Sequence, residues 1–125
     1  MKTITSLFFL LFTLTMSAQN LKNDCKFQKS LNLIYSSIYQ YEEIKRDNSK
    51  ISKAIPVLDQ NLLKLKSELS DIKIQYATDK DFKEFENWVI TLENSFSSLK
   101  EDDSLWQMGY TLVKLNLNDF MSLKY

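Results

Sequence analysis

Downstream of residue 26 the apolar side chains recur at alternating steps of four and three, the 3.5-residue seam of helices packed side by side. The seam is visible four times. In the first segment it runs through Phe27, Leu31, Ile34, Ile38 and Tyr41, flanked by Leu33, Tyr35 and Tyr39. The second carries Ile51, Ile55, Leu58, Leu62, Leu65, Leu69, Ile72 and Tyr76 without a miss. The third reads Phe82, Phe85, Val89, Leu92, Phe96 and Leu99, with Trp88 beside it. The fourth has two stripes, Leu105-Met108-Leu112-Leu115 and Trp106-Tyr110-Val113-Leu117-Phe120, which predict a helix that buries a broader face than the others.

Polar clusters separate the four segments: Asp47-Asn48-Ser49, Thr78-Asp79-Lys80-Asp81 and Glu101-Asp102-Asp103-Ser104. Each offers a side-chain oxygen to cap the next helix and negative charge for the positive end of its dipole. Connections this short fold each helix back on its predecessor, so the expected fold is all-α, an antiparallel up-down-up-down four-helix bundle over residues 19–125. Pro56 is discordant, because it falls inside the second seam. Either the helix begins close to it, or it begins near Ser49 and bends in its second turn; Ile51 and Ile55 keep the seam in phase and favour the bend.

Composition narrows the class. The chain has 125 residues, 44% hydrophobic and 26% charged, with one glycine and one proline, too few to punctuate a many-stranded sheet. Residues 1–18 read as a secretory signal: Lys2 gives the positive start, the run Leu7-Phe8-Phe9-Leu10-Leu11-Phe12 is too short to span a bilayer, and Ser17-Ala18 are small enough for cleavage. The expected product is periplasmic or secreted and has no membrane anchor. Cys25 is the single cysteine, so no internal disulfide can form. It reads as an idle thiol, with a homodimer linked through Cys25 as the alternative.

Sixteen basic residues balance sixteen acidic ones, which leaves no net field to recruit nucleic acid or an acidic membrane. The balance is uneven along the chain: residues 19–66 are net positive and 67–125 net negative. Attraction between the two helical hairpins is one consequence, and an acidic docking face for a basic partner is the other. No histidine is present, which removes the usual zinc, haem and non-haem iron sites and the Ser-His-Asp and Cys-His nucleophiles. Asp81, Glu84 and Glu86 read as a polar helix face rather than a catalytic pair. Gly109, alone inside a helix, costs about 1 kcal/mol against alanine and marks close approach of a neighbouring helix or ring.

Two sets of aromatic residues invite a functional reading. Trp88, Trp106, Tyr110 and Phe120 are candidates to line a pocket for an apolar ligand, although aromatic residues at helical spacing usually form a core. Tyr35, Tyr39 and Tyr41 point around more than one face of the first helix and are candidate interface residues.

A signal, four helices, Asp81-Phe82 opening the third helix and Lys124-Tyr125 closing the fourth together resemble the soluble periplasmic four-helix cytochrome b family. That resemblance implies haem held between a methionine early in the first helix and a histidine just before the C-terminus. Here the first helix has no methionine and the last stretch reads Phe120-Met121-Ser122-Leu123, so both ligands are missing and no cofactor is expected. The leading expectation is an exported, non-enzymatic bundle that binds another protein, as an inhibitor, an immunity-type or a chaperone-like factor. The alternative is a carrier of a small apolar ligand or cofactor in the bundle core, including a haem-less relative of the periplasmic cytochromes b. An enzyme would have to be a carboxylate-based hydrolase.

Overall fold

The computed structural model describes residues 20–122, so the expected signal peptide at 1–18 and the closing Lys124-Tyr125 lie outside the described residues. The fold is an all-α, antiparallel four-helix bundle. Its helices are α1 (Cys25–Arg46), α2 (Ile51–Tyr76), α3 (Lys80–Lys100) and α4 (Leu105–Ser122). Short 3-10 turns precede α1 at Leu21–Asn23 and α2 at Asn48–Lys50. Each helix packs on the next, and α4 closes the square against α1.

Local chemistry sets most of the helix ends. Asp24 caps α1, its Oδ1 accepting from the backbone N–H of Lys26 at 2.8 Å and of Phe27 at 3.3 Å. Asp79 does the same for α3, accepting from Asp81 at 2.7 Å and Phe82 at 3.2 Å. Ahead of α4, Asp103 Oδ1 accepts from the Leu105 N–H at 3.1 Å. The α3–α4 turn is a Schellman closure: the Asp103 N–H donates to Ser98 O at 2.9 Å and the Asp102 N–H to Leu99 O at 3.2 Å. That closure holds Asp102 at φ 59°, a left-handed position usually given to glycine or asparagine. Asp47 caps the 3-10 turn before α2 rather than α2 itself, whose N-cap residue Lys50 makes no side-chain cap.

Helix α2 runs through Pro56 in its second turn. Proline lacks the N–H that would have reached the Ser52 carbonyl four residues back. Both residues are exposed, so water can satisfy that carbonyl.

The core follows the predicted seams closely. Every seam residue of α1 and α3 is buried, as are Leu58, Leu62, Leu65, Ile72 and Tyr76 of α2; Ile51, Ile55 and Leu69 are half-buried at its edge. Further buried positions are Ser30, Ser37 and Ile44 on α1, and Ala54 and Asn61 on α2. Asn61 Nδ2 donates to both Ser36 Oγ and Ser37 Oγ at 3.2 Å, and Ser37 Oγ donates to Leu33 O at 2.9 Å. This bonding keeps the buried amide and hydroxyl from being orphaned.

Helix α4 departs from its expectation. It buries only the row Trp106, Tyr110, Val113, Leu117 and Phe120. The other stripe faces outward, with Leu105 58%, Met108 64%, Leu112 51% and Leu115 56% exposed. The reason is geometric. At about 100° per residue the centres of the two stripes lie about 140° apart round the helix, more than one helix of a four-helix square can turn toward its two neighbours.

Candidate docking face

Among the described residues, the outward stripe of α4 is an apolar row at seam spacing that stays exposed. Leu105, Met108, Leu112 and Leu115 follow the 3-4-3 spacing of a helix-packing seam and cover roughly 15 Å of helix at 1.5 Å per residue. Exposed apolar residues elsewhere, such as Leu63, Ile74 and Ile90, do not form such a row, and scattered ones are ordinary on a protein surface.

Gly109 fixes which flank of α4 meets α3. A Cβ placed there would overlap Ser95 Oγ, lie 3.3 Å from Ser95 Cβ and 3.6 Å from Thr91 O. The close approach expected at Gly109 is therefore real, made by a buried serine rather than a ring. On the opposite flank Lys114 Nζ donates to Glu42 Oε1 of α1 at 2.6 Å. That pairing holds the Lys114 ammonium above its ordinary pKa, the hydrogen bond contributing more than the charge. Lys114 and Asp119 are the only charged residues of α4. Asp119 is exposed and occupies the next position of the stripe after Leu115. Glu101, Asp102 and Asp103 stand just ahead of Leu105.

The candidate pocket residues fall into two separate aromatic clusters. Trp88 meets Phe120 edge to face at 5.3 Å, and Phe120 meets Phe27, which packs on Phe85. Trp106 and Tyr110 instead stack with Tyr41, ring centroids 5.3 to 5.8 Å apart. Rings thus pack on rings in both clusters. Phe120 also borders a groove of about 340 Å³ with Lys22, Phe27, Leu31, Tyr35 and Met121, whose cation Lys22 Nζ sits 4.5 Å above the Phe120 ring. Tyr110 borders a different one with Glu42, Arg46 and Lys114.

Of the three tyrosines on α1, Tyr35 and Tyr39 are exposed, at 40% and 59%. Tyr41 is not an interface residue: it is 1% exposed, turned inward by its place on the seam. Its hydroxyl donates across the bundle to Leu92 O at 3.5 Å, and burial pushes its pKa far above the usual phenol value. Tyr39 stands beside Glu43, which sits below its ordinary pKa because Lys50 Nζ donates to it at 2.7 Å.

The remaining chemistry is dispersed. Asp81, Glu84 and Glu86 are half-buried on α3, where Glu84 and Glu86 diverge by about 200° round the helix. Among the described residues no three Cys, Asp or Glu side chains converge as a metal-binding group. Cys25 is exposed at the start of α1. The residues present do not fit a haem either: the chain has no histidine, and Met108 and Met121 lie about 20 Å apart along one helix, with Met108 turned to solvent.

The sequence displayed the α4 stripe and assigned it to the core. The signal that would have identified it as surface is the angle between the two stripes, since residues adjacent in sequence stand a full 100° apart on a helix. No family model, curated protein or solved structure matches the chain.

Proposed function

We propose that this protein is an exported, non-enzymatic helical bundle that acts by binding another protein, through the outer face of α4. The observation that carries this reading is the stripe Leu105, Met108, Leu112 and Leu115: four large apolar side chains at seam spacing, each more than half exposed. Keeping such a row in water forgoes burial worth about 25 cal/mol per Å², an arrangement expected where a partner covers it. The exposed Tyr35 and Tyr39 on α1 are secondary candidates for the same role. Export rests on the apolar run and small residues of 1–18, and mass spectrometry of protein recovered from the host should find a chain that begins at Gln19.

The direct test replaces Leu112 with a photo-crosslinking amino acid in the host cell, using Ile74, exposed on α2, as the control position. One adduct of defined mass at position 112 and none at 74 is the expected result. Adducts at both positions, or at neither, would remove this reading. Leu112→Asp should abolish formation of the same complex while changing stability by less than about 0.5 kcal/mol, because the side chain already meets water.

A further inference from the structure

Building on that reading, we propose that the α4 face is a docking site for an amphipathic helix that carries basic residues at both ends of its apolar stripe. Spacing argues for a helix. Residues 105, 108, 112 and 115 alternate by three and four, the spacing of the seam along which a second helix packs. Charge argues for the basic ends. Before the stripe come Glu101, Asp102 and Asp103, and Asp119 follows at its next position, so acid brackets the apolar row at both ends. None of these four has an ion-pair partner among the described residues. The cation of α4, Lys114, is turned to the other flank and held by Glu42. More widely, residues 77–122 hold nine acidic and four basic side chains, so the field over this hairpin favours a cationic segment.

The same charges disfavour a second copy of this chain as the occupant. Two antiparallel copies of the stripe match well in their apolar positions, Leu105 on Leu115 and Met108 on Leu112, because the spacing is symmetric about Tyr110. That register brings Asp119 of each copy toward the acidic turn of the other. A parallel register sets Asp119 against Asp119. Acid meets acid either way, and like charges across an interface oppose association.

The experiment is calorimetric titration of the protein with two synthetic 18-residue helical peptides. Both carry leucines at 3-4-3 spacing; one has two lysines at each end of the stripe and its twin has two glutamates there. The lysine peptide should bind about tenfold more tightly than its twin at low salt, with the gap closing as salt rises. Leu112→Asp, confirmed as folded by its melting curve, should lose the lysine peptide, and Ile74→Asp should keep it. Equal binding of the twins, or undiminished binding to Leu112→Asp, would overturn the inference. So would self-association in sedimentation runs that Leu112→Asp abolishes, since a second copy would then be the occupant. A defined crosslink at position 112 in the host together with failed peptide selectivity would sink the helix chemistry alone; an absent crosslink would sink the protein-binding reading beneath it.

Discussion

Gly109 and Ser95 form a matched pair whose energetics run in opposite directions. A glycine inside α4 costs helix stability, yet adding a methyl group there drives into the Ser95 hydroxyl, which is itself buried without a hydrogen-bond partner. Gly109→Ala alone should therefore destabilise the bundle or leave it unchanged, because the helix gain is cancelled by displacing Ser95. In a Ser95→Ala background the hydroxyl overlap is gone and only the 3.3 Å approach to the Cβ of residue 95 remains, so the same change should be less costly there than in the native background. Urea denaturation of the four proteins of this cycle measures the coupling, and simple additivity would contradict the close approach. Tyr41 gives a second prediction at this scale. Its phenol has a raised pKa in the fold, so below about pH 10 both states keep the proton and its contribution is fully present. Above that pH the unfolded chain ionises while the folded one resists, so stability falls as pH rises. Tyr41→Phe should flatten this alkaline decline in melting temperature, and its cost at pH 7 should be small because the 3.5 Å bond to Leu92 O is long.

At the scale of the element, adjacent positions on one helix should behave very differently. Leu65 is fully buried on the α2 seam, whereas Lys66 is exposed and its ammonium meets Glu93 of α3. Leu65→Asp places an unpaired charge in the core and costs several kcal/mol, against roughly 5–15 kcal/mol for a typical domain. Lys66→Asp exchanges a surface attraction for a repulsion and should cost no more than about 1 kcal/mol. Melting curves that fail to separate the two variants would refute the assigned seam. The element scale is also where the sequence was most legible. Seams at 3.5-residue spacing located all four helices because burial enforces that period, and the acidic residues of the turns located the caps of α3 and α4, whereas at the first turn Asp47 caps the 3-10 turn instead of α2. Legibility ended where two patterns shared one helix. In α4 both stripes have the right period, and only the angle between them, set against the width of face a bundle offers, separates core from surface. For Tyr41 the seam already pointed inward, and grouping it with Tyr35 and Tyr39 by residue type set that aside.

On the scale of the whole molecule, charge is distributed by hairpin. The pair α1–α2, residues 20–76, has ten basic and seven acidic residues, against four and nine for residues 77–122. Among the described residues, only one of the two ion pairs between the hairpins follows this polarity. Lys66 of the first meets Glu93 of the second, whereas Lys114 of the second meets Glu42 of the first. Direct ion pairing between the hairpins thus does not track the segregation, and Glu101, Asp102, Asp103 and Asp119 of the second hairpin are in none of the ion pairs among the described residues. The candidate site was legible in composition and hidden in placement. The apolar residues, the acidic turn and Asp119 are all plain in the chain, but their assembly on one outward face depends on how α4 rolls against Ser95.

The even number of antiparallel passes has a consequence for how the chain can be cut and rejoined. Lys22, ahead of α1, lies over the ring of Phe120, in the last turn of α4, so the two ends of the described bundle are neighbours. A short linker from the last turn of α4 to Asn20, with the chain reopened at Ala77-Thr78 between α2 and α3, would keep every helix whole and both hairpins in contact. Such a circular permutant should fold, and it would leave the face bearing Met108 and Leu112 clear of either new terminus.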